Sequence, residues 1–253
     1  MDLASPLIAG MSAPVLVFAL ICVFGAALIR GYSGFGFSAL AVISLSLILP
    51  PAGVVPAVLM LEIAASLQLL PRLHRSVDWP AIGWLTAGSL IAMPFGVAML
   101  ATLPVAPMRA LISVLVLIIC VPLWKGFAFK FSPGKGATFT TGLISGVGNG
   151  AASLGGMPVV LFFLARGTVA DVSRATVIAY FIVANTAAAG VAGYHGLLTT
   201  DLWVRFAIFL PALLAGNALG NLHFLKTSPE SFRKFALILL VGMSVSGLVR
   251  ALF

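Results

Sequence analysis

The sequence predicts an all-α polytopic membrane protein, a single transmembrane domain over residues 1–253 made of two inverted repeats. Each repeat holds about five hydrophobic segments and opens on a glycine-rich hairpin of short helices. Three observations carry this reading. Hydrophobic residues make up 61% of the chain and charged residues only 8%, with a mean hydropathy of +1.18, whereas a water-soluble domain carries about 25% charged residues. The apolar stretches come in lengths of about 20, the span of a bilayer-crossing helix. Two glycine-rich turns occupy the same place in each half.

The first two segments, 14–29 and 34–49, are short and joined by Arg30-Gly31-Tyr32-Ser33-Gly34-Phe35-Gly36. Full spans follow at 53–71, 80–101 and 107–124, bounded by prolines and by Arg72, Arg75, Lys125 and Lys130. Residues 125–135 read as a short basic linker. The second half repeats the order, with short segments at 136–147 and 150–165 around a turn running from Gly146 to Gly156. Its full spans lie at 174–194, 202–222 and 233–252.

Repeat one therefore covers 14–124 and repeat two 136–252. Trp79 and Trp203, Gly96 and Gly220, and Arg109 and Arg233 each lie 124 positions apart, and Gly34-Phe35-Gly36 falls opposite Ser153-Leu154-Gly155 at 119. An odd number of segments turns the second copy upside down relative to the first, an arrangement recurrent in secondary transporters. Chance similarity between apolar halves is the competing explanation, and the matched turns weigh against it.

The net charge of +8 does not point to nucleic acid, because the cations sit singly or in pairs between apolar segments. They sort by side instead. With ten passes and the N-terminus outside, eleven Lys and Arg lie at the inner side, and only Arg109, Arg205 and Arg250 at the outer. This puts linker 125–135 in the cytoplasm. The acidic Met1-Asp2-Leu3 start, and the break from Gly10 to Pro14, predict that the first segment stays in the mature chain. Cys22 and Cys120 lack partners at metal-ligand or disulfide spacing, so no metal site or cofactor is expected. Neither glycine turn carries a dinucleotide or P-loop pattern, so no nucleotide is expected as a partner.

Backbone interrupted inside hydrocarbon is tolerable only within protein or beside a water-filled cavity. Such breaks expose helix N-termini, which favour anions. The substrate-binding set expected from the first turn is Arg30, Gly31, Ser33, Gly34 and Gly36. From the second it is Asn149, Gly150, Ser153, Gly155 and Gly156. Tight helix packing competes, since Gly142, Gly146 and Gly150 are four apart, as are Gly216 and Gly220. The planar fork of Arg30 suits an oxyanion, although an arginine at an inner helix end is also a topology signal. Glu62, deep in 53–71, is expected either to carry a proton for coupled transport or to form a structural ion pair, with Arg30 as the partner. Gln68, Asn185, Asn217 and Asn221 are expected to hydrogen-bond between helices.

The stretches Gly142-Leu-Ile-Ser-Gly146 and Gly155-Gly156-Met157-Pro158-Val159-Val160-Leu161 resemble the sulfite exporter TauE/SafE family. So does Arg30 to Gly36 leading on to Pro50-Pro51. The resemblance covers essentially the whole chain. It implies a multi-pass permease of a bacterial inner membrane for a small sulfur-containing or carboxylate anion such as sulfite or an organosulfonate, with the two hairpins meeting around the substrate. The expected function is a secondary transporter working by alternating access, with proton coupling through Glu62. Its partners would be a small anion and the lipid bilayer. The alternatives are an intramembrane enzyme and a passive anion channel; the spans show no acid pair or nucleophile with a base that would make an enzyme.

Overall fold

The computed structural model describes residues 10–33, 35–125, 134–224 and 229–252, and among them every regular element is helical. The first half holds α1 (Ala13–Ser33), α2 (Phe37–Ser46), α3 (Pro51–Leu73), α4 (Trp79–Thr102) and α5 (Val105–Lys125). The second holds α6 (Lys135–Ala152), α7 (Gly156–Ala165), α8 (Ala170–Tyr194), α9 (Thr200–Phe224) and α10 (Pro229–Leu252). A 3-10 turn, His74–Ser76, precedes α4. Most of the expected linker lies outside the described residues. Among the described residues, five helices, α1, α3, α4, α8 and α9, are long and apolar enough to cross a membrane.

The helices before the two breaks differ from the short segments expected. α1 has 21 residues and α6 has 18; only α2 and α7, with 10 each, are short. The helix α6 runs through Gly146, Gly148 and Gly150, so the second break shrinks to Ser153–Gly155. Helix packing explains why these glycines remain helical. A Cβ on Gly142 would stand 2.3 Å from the carbonyl oxygen of Leu85, and one on Gly146 would stand 2.4 Å from that of Ser89. From the other side, a Cβ on Gly88 would meet the carbonyl oxygen of Phe139 at 2.2 Å, and one on Gly96 that of Val147 at 2.2 Å. Helices α4 and α6 thus touch backbone to backbone, the contact that small residues four apart permit. Gly216 and Gly220 of α9 fit against Phe24 and Leu28 of α1 in the same way.

Pairings elsewhere follow a matched scheme. α1 packs on α9 as α6 packs on α4, α3 on α9 as α8 on α4, and α2 on α3 as α7 on α8. α3 also packs on α8 and α5 on α10, helices that hold the third and fifth places in the order of each half. Starts of α2 and α7 differ by 119 positions, as do those of α3 and α8.

At the centre lies α2, whose ten residues are all buried. A helix apolar all round is stable only when covered on every side. Both its ends are capped by charge. Arg109 of α5 donates from Nε to the Ser46 carbonyl at 2.5 Å and from Nη2 to Leu49 at 3.4 Å. That sets a cation at the C-terminal end of the helix dipole. The outer surface is apolar, with Trp84, Ile91 and Phe95 of α4 exposed. Trp79, Tyr194 and Trp203 stand exposed at helix ends, where aromatic side chains favour the membrane–water boundary.

Candidate functional site

The two chain breaks meet. Phe35, Gly36, Ser38 and Ala39 from the first, and Ser153, Leu154, Gly156 and Met157 from the second, line one cavity together with Phe181 of α8. Its volume is ≈ 10 Å³, close to the minimum that holds one water. An oxyanion of four or more heavy atoms needs it to widen. The N-termini of α2 and α7 both open on this space, so two positive helix-dipole ends converge there.

Each break has its own local cause. Gly36, the N-cap of α2, has φ 93, a conformation glycine adopts without steric cost. Ser153 closes α6 at φ 55, ψ 29, an uncommon position for a residue with a Cβ. Leu154 donates its N–H to the Gly148 carbonyl at 3.0 Å and Ser153 to that of Asn149 at 2.8 Å, which completes a left-handed helix stop. Ser145 fastens the turn by donating to the Gly155 carbonyl at 2.6 Å, and its oxygen lies 2.7 Å from the Tyr180 hydroxyl.

Beside the cavity sits a fully buried ion pair. Arg30 and Glu62 are both 0% exposed, and Arg30 Nη1 contacts Glu62 Oε2. Arg30 also donates from Nη2 to Ser66 at 2.7 Å and lies over the Phe181 ring, 5.2 Å from its centroid. Glu62 Oε1 accepts from the Ser38 backbone N–H at 3.2 Å and from the Ser38 hydroxyl. The carboxylate therefore caps the N-terminus of α2, taking the position a bound anion would take at a helix start. Of the two roles expected for Glu62, the ion pair with Arg30 is present in the structure.

A larger cavity, ≈ 220 Å³, lies between α3 and α9 and is lined by Gln68, Leu69, Ala218, Asn221 and Leu222. Asn217 donates to Gln68 at 2.6 Å, and Arg174 bridges the Gly31 carbonyl and Asn221 Oδ1, both at 3.0 Å. No group of three or more His, Cys, Asp or Glu that could hold a metal ion occurs among the described residues.

A family model described as Sulfite exporter TauE/SafE matches residues 19–247. The chain belongs to this family. One relative, named probable sulfite/organosulfonate exporter TauE, from Cupriavidus necator, is 25% identical over 210 residues, covering 80% of this chain and 81% of its own. No solved structure matches. Family and helices together make the chain a multi-pass membrane protein of a transporter family, not of an enzyme family.

In this TauE/SafE chain the residues singled out in the sequence divide into three groups. Gly36, Ser153 and Gly156 line the cavity, and Gly155 caps α7 beside it, where a Cβ would stand 2.7 Å from that of Asn149. Arg30, Glu62 and Asn149 are buried within helices, not in the turns. Gly31 and Gly150 face neighbouring helices instead. A Cβ on Gly31 would lie 2.2 Å from the Asn217 carbonyl oxygen, and one on Gly150 would lie 2.4 Å from that of Met93, so packing accounts for both. Gly34 lies outside the described residues, as does the side chain of Ser33. Ser38, Ser66 and Phe181 are the residues sequence reasoning missed. Ser66 stands four positions after Glu62, one helical turn away, and Phe181 lies 119 positions after it; either spacing would have flagged them.

Proposed function

We propose that this chain is a secondary transporter that moves a small sulfur-containing or carboxylate anion, sulfite or an organosulfonate, across a bacterial inner membrane by alternating access. The observation that carries the reading is the meeting of two helix N-termini at one small cavity beside a buried arginine. Backbone breaks of this kind at matching positions are the structural mark of transporter substrate sites. The printed name of the Cupriavidus necator relative supports the choice of anion.

Residues 14–124 and 136–252 act as inverted repeats whose rocking opens the cavity to either side. The matched helix pairings and the constant offset between α2 and α7 and between α3 and α8 support this. Helices α2 and α7, of 10 residues each, are about 15 Å long at 1.5 Å per residue. Laid end to end they span about 30 Å, the hydrocarbon thickness, which sets their N-termini near mid-membrane. The N-terminus lies outside, and the linker 125–135 is cytoplasmic.

Glu62 couples transport to protons. While ionised it holds Arg30 and the start of α2; once protonated it releases a guanidinium charge beside the cavity, which then favours an anion. The test is uptake of sulfite and of methanesulfonate into proteoliposomes with a set pH gradient. Saturable flux driven by the gradient is expected, with Glu62→Gln losing the response to pH. Ohmic single-channel currents would make the protein a channel, and absence of flux for every anion offered would remove the transport reading.

A further inference from the structure

The two halves of the site occupy matching positions yet carry different chemistry. At the offset of 119 that relates α2 to α7 and α3 to α8, Arg30 corresponds to Asn149, Glu62 to Phe181 and Ser66 to Asn185. In the first half these residues engage one another, and Arg30 Nε is the one atom of the set left without a hydrogen bond or ion pair among the described residues. Glu62 accepts from Ser38 at the start of α2 and pairs with Arg30, which in turn reaches Ser66. The first half thus already contains an anion.

In the second half the place of the carboxylate is taken by an aromatic ring. Phe181 packs so closely on Gly156 that a Cβ there would stand 2.0 Å from its Cζ. Around it the polar groups are orphaned. Asn149 is 1% exposed and Asn185 0%, and among the described residues neither amide oxygen nor nitrogen of either has a hydrogen-bond partner. Ser153, 1% exposed and lining the cavity, has no partner for its hydroxyl among the described residues. Buried polar groups without partners are few in native proteins, because each loses its hydration with nothing in return. Of these atoms, Ser153 Oγ and the Asn149 and Asn185 Nδ2 groups can donate; Ser153 lines the cavity and Asn149 lies against Gly155 at the start of α7, a donor pair beside the helix N-terminus without an acceptor. Ser153 reaches its position only by adopting the left-handed backbone, a cost that structures retain mainly at functional sites.

We propose that the substrate anion seats asymmetrically, on the second half alone. It binds at the N-terminus of α7, accepting from the Ser153 hydroxyl, the Asn149 amide and the backbone N–H groups that open the helix. Glu62 fills the corresponding position in the first half as a built-in anion, so the paired architecture takes one substrate and not two. Phe181 separates the two halves, with Arg30 on one face of the cavity wall and Gly156 against its edge. This assignment rests on the transport reading above and names the seat within it.

The test is calorimetric titration of the purified full chain in detergent with methanesulfonate, whose charge does not change with pH near neutrality. The wild type is expected to bind one equivalent. Asn149→Asp, nearly isosteric, places a carboxylate in the second half as Glu62 does in the first, and weakens binding by about tenfold or more. Ser153→Gly keeps the left-handed backbone but removes the hydroxyl, and weakens binding by about tenfold; it stands in should Asn149→Asp fail to fold. Glu62→Gln removes a like charge from the vicinity and tightens binding, by about tenfold. Unchanged affinity in both Asn149→Asp and Ser153→Gly, two equivalents bound to the wild type, or loss of binding in Glu62→Gln would each overturn the asymmetric seat while leaving an anion-binding protein. A wild type that binds no methanesulfonate and no sulfite would overturn the seat and the transport reading together.

Discussion

Removing either member of the Arg30–Glu62 pair leaves the other charge buried in the middle of the fold without its partner. Both side chains are 0% exposed, so neither can turn toward solvent without opening the bundle. Breaking a buried pair from one side costs about 3–5 kcal/mol. At roughly 2–4 °C per kcal/mol for a chain of this size, each of Arg30→Gln and Glu62→Gln is expected to lower the thermal midpoint by about 6–20 °C. The double variant should lie within about 1–2 kcal/mol of the wild type, because two neutral amides can still hydrogen-bond to Ser38 and Ser66. A double-mutant cycle from unfolding in detergent then gives a coupling energy of at least about 4 kcal/mol. Single variants that cost under about 1 kcal/mol each and add without coupling would refute the buried-pair account.

Other substitutions probe the remaining parts of the framework. Gly146→Ala drives a Cβ to 2.4 Å from the Ser89 carbonyl oxygen and should cost about 1–3 kcal/mol of stability. Gly190→Ala, with nothing within 4 Å, should be neutral or gain up to about 1 kcal/mol; equal effects would contradict the α4–α6 contact. Arg109→Gln weakens the charged cap on the C-terminus of α2 and should lower stability by about 1.5–3 kcal/mol in the same unfolding assay. For orientation, Thr199→Cys and Ser76→Cys are made with Cys22 and Cys120 replaced by Ala. A membrane-impermeant maleimide should label the first on intact cells and the second only after lysis, and the reverse result would invert the topology.

Composition and segment length were enough to make this chain a helical membrane protein, since 8% charge cannot cover a water-exposed surface. The positions of the two breaks were legible from glycine clustering, but their extents were not. Gly31 and Gly150 look like turn residues in a single strand of sequence because glycine serves both sharp turns and close helix contacts. Only the helices α9 and α4 lying against them decide between those uses. Gly36 shows the other outcome, with φ 93 and its closest neighbour, an Ile29 methyl, at 3.8 Å.

Scarcity made Glu62 conspicuous, because a lone acid deep in an apolar span is expensive wherever it lies. The sequence alone therefore determined the class of protein, the ten apolar segments and the short set of charged and polar residues that had to be accounted for. What only the tertiary structure decided was which of them meet. Arg30 and Glu62 lie 32 positions apart and Ser38 24 from Glu62, separations at which helix periodicity says nothing about contact. Their joining depends on α1, α2 and α3 packing side by side. Phe181 and Ser153 come to the same cavity from the other half of the chain. Burial energy fixes that each helix must be covered, while the backbone contacts that glycine permits fix which neighbour covers it.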